Sequence, residues 1–220
     1  MFKRWVGLAS CLVLFTACGS ALAGAYEELL QAAESGDLNE AGRLIAGGAD
    51  VNAKDGNGVT ALLGAVHFGR KEVVELLLSK GADVDARTKE GVTPLYEAAK
   101  TGNTAMADIL ISRGAEIDAK TRSGYTPLII AASNGDEAMA DWLISKGAAV
   151  NARDNQGNTA LGWALKIFFA TSPEGLRMKN AREKQNLLNL KKQVGGEWKS
   201  VAVSLIDHGA DVSVKIDDAT

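Results

Sequence analysis

Cysteine is nearly missing from this sequence: Cys11 and Cys18 are the two in 220 residues, and both fall within the first 23. A chain cleaved after that segment has no disulfide, no thiolate nucleophile and no cysteine-bound metal. Histidine is equally scarce, with His67 and His208 alone, so imidazole chemistry has little to work with. Aromatic residues make up 5% of the chain while alanine, leucine and glycine dominate. That balance suits closely stacked short helices better than a β-sandwich. There is no Gly-x-Ser-x-Gly elbow, Walker-type loop, His-Glu-x-x-His or EF-hand loop. Gly56-Asn57-Gly58 reads as a turn tip rather than a phosphate loop. Basic charge is not in excess either. Net charge is -3, and beyond Lys3 and Arg4 there are 22 bases against 27 acids, so nucleic acid has no electrostatic claim on the chain. We expect no enzyme, no cofactor and no metal.

The N-terminus has the grammar of an export signal. Met1-Phe2-Lys3-Arg4 is a short basic region, and Trp5 to Ala17 is an apolar stretch of 13 residues. That is too short to cross a hydrocarbon core of about 30 Å. Ala21-Leu22-Ala23 supplies a small-x-small cleavage site, with Gly24 as the new first residue. A second exit is open at Phe15-Thr16-Ala17-Cys18-Gly19-Ser20, which resembles a bacterial lipobox with Cys18 as the lipidated residue. The first route gives a periplasmic or secreted chain, the alternative an outer-membrane lipoprotein with a lipid anchor. Neither leaves a transmembrane span after processing.

Three glycine series share one period. Gly58, Gly91, Gly124 and Gly157 are 33 residues apart, as are Gly36, Gly69, Gly102 and Gly135, and Gly48, Gly81, Gly114 and Gly147. Between them recur Thr60-Ala61-Leu62, Thr93-Pro94-Leu95, Thr126-Pro127-Leu128 and Thr159-Ala160-Leu161. Each threonine is a natural N-cap, followed by proline or alanine at the first helical position. Thr93 is expected to cap a helix running to about Thr101, with Gly102 at the left-handed C′ position. A second helix follows with a stripe of Met106, Ile109, Leu110 and Ile111, ending at Gly114. Residues 115–124 lack helical periodicity and read as an extended turn or hairpin. Two short helices cannot bury their apolar stripes alone, so neighbouring units must stack.

The 33-residue period and the Thr-Pro-Leu phrase resemble the ankyrin repeat. The resemblance covers residues 25–168 and resumes at 198–215. It implies an all-α repeat solenoid of helix-turn-helix units with β-hairpin fingers. It departs at the family's histidine, replaced here by Leu63, Tyr96, Ile129 and Gly162. After the signal peptide, 1–23, one repeat domain is expected over 24–220. Its units run at about 25–57, 58–90, 91–123, 124–156 and 157–219. The last is broken, because Gly209 lies 62 residues after Gly147 rather than 33, leaving 29 inserted at about 169–197. The insertion holds six bases and three acids from Ala170 to Glu197 and is expected to form a helix near 173–194.

The resemblance also implies function. Ankyrin repeats meet protein partners with their finger tips and the exposed face of their first helices. On this chain the tips are Val59, Val92, Tyr125 and Asn158. The helix-face positions are His67-Phe68, Lys100-Thr101, Ser133-Asn134 and Lys166-Ile167, with Trp163 as a further aromatic anchor. We expect a monomeric, non-enzymatic module that binds a protein partner. An immunity protein or inhibitor of a toxin or enzyme is one alternative. A ligand-binding protein with its site at the insertion is another. Tyr96 is expected to fill the vacant histidine slot, and Trp163 has packing beneath the insertion as its structural alternative.

Overall fold

The computed structural model describes residue 24 and residues 26–171 and 197–211, with side chains of 168–171 and 197–199 left aside. The signal peptide, its Ala23 boundary, Cys18 and the helix expected at 173–194 lie outside the described residues. Contacts divide the chain between Ala86 and Arg87 into two compact units.

The first unit holds α1 (26–35), α2 (Leu38–Ala46), α3 (Ala61–His67) and α4 (Lys71–Ser79). The second holds α5 (Pro94–Lys100), α6 (Thr104–Ser112), α7 (Pro127–Asn134), α8 (Glu137–Ser145), α9 (Ala160–Thr171) and α10 (Glu197–Asp207). Within it, first helices α5, α7 and α9 stack in order, while α8 lies between α6 and α10.

The threonine caps form as the sequence predicts. Thr60, Thr93, Thr126 and Thr159 accept from the backbone N–H of Leu63, Tyr96, Ile129 and Gly162 at 3.2–3.3 Å. All four are buried, so each hydroxyl satisfies a helix-start donor that water cannot reach. Asp37, Asn103 and Asp136 cap second helices in the same way. Arg70, at the same phase, does not cap; its Nε donates to Glu34 O at 2.8 Å. Gly102 takes φ +70 after the C-cap Thr101, as expected.

The core repeats with the sequence. Leu29, Leu62, Leu95, Leu128 and Leu161 share one phase and are each at most 1% exposed. Leu77, Leu110 and Leu143 are fully buried at another. Each such side chain contributes about 1.5–3 kcal/mol. The second-helix stripe differs in one respect from expectation. In α6 the buried residues are Met106, Ala107 and Leu110, and Ile109 and Ile111 lie half-buried at its margins.

Residues 197–211 reproduce the features of the second helices before them. Val201 and Leu205 are fully buried 62 residues after Met139 and Leu143. Asn151 Nδ2 donates to Gly209 O at 3.2 Å, and Asp211 N donates to Asn151 Oδ1 at 2.7 Å. In the first unit Asn52 makes the same pair of bonds with Gly81 O and Asp83 N, at 3.0 and 2.7 Å. Gly209 therefore does for the last repeat what Gly81 does for an intact one. Asn151→Ala removes both bonds and should loosen residues 197–211 by about 1–3 kcal/mol. Hydrogen exchange would show lost protection in α10 with α5 and α6 unchanged; equal protection in the variant would deny Asn151 this clamping role.

The fingers correct one detail. No strand occurs among the described residues. Successive fingers of the second unit share single backbone bonds, Arg122 N to Glu90 O and Asn155 N to Ser123 O. One bond per junction makes no ladder. Side chains do the lacing instead: Arg87 Nη1 donates to Lys120 O, and Lys120 Nζ to Arg153 O, both at 2.9 Å.

Candidate functional site

The finger tips are built on a second series with the 33-residue period: Asp55, Thr88, Thr121 and Asp154. Each side-chain oxygen accepts from the backbone N–H four residues on, at Val59, Val92, Tyr125 and Asn158, over 2.7–3.1 Å. The tip is thereby fixed before the threonine cap begins the helix, and whatever side chain follows is held on an ordered loop.

In the first unit, Val59 is half-buried and its carbonyl accepts from the Tyr26 hydroxyl at 2.8 Å. His67 and Phe68 are exposed at the end of α3, their rings edge to face with centroids 4.8 Å apart. Phe68 is 49% exposed, and with Leu38 it is one of two large hydrophobic side chains exposed among the described residues.

In the second unit, Val92 is half-buried and Lys100 is exposed, its ammonium 3.0 Å from Glu97 Oε1. Tyr96 is buried, as expected for the histidine slot, and burial followed by the Glu97 charge pushes its phenol above the ordinary value. Tyr125, Trp163 and Lys166 come together. The Tyr125 and Trp163 rings meet edge to face at 5.4 Å, and the Lys166 ammonium stands 5.1 Å from the Trp163 ring. Such ring pairs and cation–ring contacts each contribute about 0.5–1.5 kcal/mol. Trp163 thus packs on Tyr125; the insertion that was its alternative neighbour lies outside the described residues.

Asp154 positions this cluster, and it is the residue that the sequence reading missed. Its side chain is buried and accepts from Trp163 Nε1 at 2.8 Å, Asn158 Nδ2 at 3.1 Å, Asn158 N at 2.8 Å and Gln156 N at 2.9 Å. Burial pushes the carboxyl upward, but the Trp163, Asn158 and Gln156 donors outweigh it and hold it below the usual carboxylate range. Burial, then the Asp154 charge, pushes the Tyr125 phenol up. With its oxygens engaged by four donors, the carboxylate holds a ring in place rather than a substrate. Asn158 is drawn in too: its amide is committed to Asp154 and Gln156, so it braces the tip. The available signal was the Asp/Thr series itself, with tryptophan nine residues beyond its last member.

Between Tyr125, Ile129, Ile130, Ser133 and Trp163 lies a pocket of about 60 Å³. Among the described residues, no group of three or more His, Cys, Asp or Glu side chains could hold a metal ion. Among them, too, no helix is long and apolar enough to cross a membrane.

The sequence matches the family described as Ankyrin repeats (3 copies) over residues 29–121 and 114–167, more than half of its length. The chain belongs to the ankyrin-repeat family, whose repeats in general mediate protein–protein interaction and are typically non-enzymatic. No curated protein matches it.

Proposed function

We propose that the chain is an exported, non-enzymatic interaction module of the periplasm or cell envelope. It binds a protein partner through its finger tips and the exposed face of its first helices. The observation that carries this reading is the Tyr125–Trp163–Lys166 cluster, held in place by the buried Asp154 carboxylate. Tryptophan and tyrosine are among the interface side chains whose truncation weakens binding most. Here they are ordered in advance, so little side-chain entropy remains to be lost on association. Export rests on the basic and apolar N-terminal segment with its Ala23–Gly24 boundary, and Cys18 offers a lipid anchor as the alternative. Phe68 extends the binding reading to the first unit.

The test is substitution of Phe68 and Tyr125 by Glu, singly and together, with partner binding and thermal melting measured on each. Phe68→Glu removes an exposed ring and should leave stability within about 0.5 kcal/mol. Tyr125→Glu gives up its ring pair and should lose about 0.5–1.5 kcal/mol. The double variant should stay folded and lose partner binding. A double variant that binds as the parent does would remove both residues from the interface.

A further inference from the structure

We infer that the pocket beside Trp163 anchors one aliphatic side chain of the partner polypeptide, with an acidic residue of that partner next to it on Lys166. The inference rests on the interaction reading above and names the chemistry that reading leaves open. It starts from what the walls lack. The Ser133 hydroxyl donates to Ile130 O at 2.9 Å, and the Trp163 indole N–H donates to Asp154. Both groups are engaged, which leaves the Tyr125 hydroxyl as the remaining polar side-chain group of the walls, and the lining is mainly the rings of Tyr125 and Trp163 and the carbons of Ile129 and Ile130. A polar side chain entering about 60 Å³ of such a space would give up water and find few partners, whereas an aliphatic one gains by leaving water.

The rim supplies the second half. Two lysines in this unit stand over tryptophan rings, Lys146 over Trp142 at 5.3 Å and Lys166 over Trp163 at 5.1 Å. Lys146 also has a carboxylate, Asp108 at 2.9 Å. Lys100, at the same phase two first helices earlier, has Glu97. Lys166 makes no ion pair among the described residues, and the Asp154 carboxylate nearby is taken up by its own donors. A cation held in place over a ring, beside an apolar pocket and without a counter-charge, is complementary to a carboxylate delivered by whatever fills the pocket. The partner segment is therefore a short acidic–aliphatic one, such as Glu or Asp adjoining Leu, Ile or Val.

The experiment is selection of a randomised twelve-residue peptide library, displayed on phage, against the full chain. Selected peptides are then measured by fluorescence anisotropy against the parent, Ser133→Trp, Lys166→Glu, Phe68→Glu and a chain lacking residues 172–196. Enrichment of an aliphatic residue beside Asp or Glu is expected. Ser133→Trp, which fills the pocket, should weaken binding at least tenfold. Lys166→Glu should weaken the acidic peptides and favour versions with Lys at that position. A consensus of other chemistry, or peptides indifferent to Ser133→Trp, would overturn the proposal. If such peptides respond to Phe68→Glu, the interaction reading stands while this one falls. If no peptide is enriched at all, the pocket anchors no segment, and a failure of the chain to hold any protein partner would then sink both. Binding that tightens tenfold when residues 172–196 are removed would make the chain's own segment the occupant and overturn it equally.

Discussion

Gly124→Ala should destabilise the second unit by roughly 3–4 kcal/mol, while Gly114→Ala at a similar backbone angle should lose only about 1–2 kcal/mol. Both glycines have left-handed backbones, φ +83 and +89, so both substitutions carry the strain of placing an L side chain there. They differ in what the new methyl group meets. At Gly114 nothing lies within 4 Å. At Gly124 the added carbon would sit 2.6 Å from both Asn155 N and Asn155 Oδ1, and 3.0 Å from the Asp154 carbonyl carbon. Those atoms cannot swing aside, because Asn155 N donates to Ser123 O and Asn155 Nδ2 to Arg122 O. Relief would require parting two fingers and disturbing the tip that holds Asp154. Urea denaturation followed by far-UV circular dichroism measures the pair. Equal losses would mean that finger-to-finger contact at Gly124 has no energetic weight.

Asp154→Ala should lose about 2–4 kcal/mol at neutral pH, because it takes the buried acceptor from the half-buried Trp163 indole, the Asn158 amide and two backbone donors of the tip. Asp154→Asn should lose less, since it keeps an acceptor oxygen for some of them. The pH dependence has a definite sign. The folded carboxyl titrates below its unfolded value, which is about 3.9 for an ordinary aspartate. Its stabilising contribution is therefore fully present above that value and is lost as pH falls through the lower folded one. The gap between the parent and Asp154→Asn should narrow as pH is taken from 7 to below 3. A gap that is constant over this range would mean that the charge on Asp154 adds nothing to the tip.

Much of the fold was legible because its determinants are local and repeat. Thr60, Thr93, Thr126 and Thr159 announce helix starts through one hydroxyl each, and the glycine series mark where the backbone must turn left-handed. Gly209 stands in the same phase to the buried Val201 and Leu205 as Gly147 does to Met139 and Leu143. The fingers were harder to read. An extended, non-helical stretch suggests a hairpin, but the lacing comes from Arg87 and Lys120 reaching one repeat onward, which periodicity does not disclose. The candidate site was legible only in part. Tyr125 and Trp163 stand out as aromatics at partner-facing phases, whereas nothing local marks Asp154 off from the other finger carboxylates. Its importance comes from a tryptophan nine residues away turning its N–H inward, a fact of side-chain direction rather than of spacing. Asn158, at the same phase as Tyr125, serves as a brace because its amide reaches that carboxylate.

The central claim is that this chain works by holding a protein partner. The direct measurement is cross-linked co-purification from the cell-envelope fraction, with the intact chain beside one lacking residues 172–196. The account predicts a partner recovered in stoichiometric amount with the intact chain and retained by the deletion, because Tyr125, Trp163 and Phe68 all remain. A folded, exported bait that recovers no stoichiometric partner would contradict it, and loss of the partner with the deletion would move the binding site to the insertion.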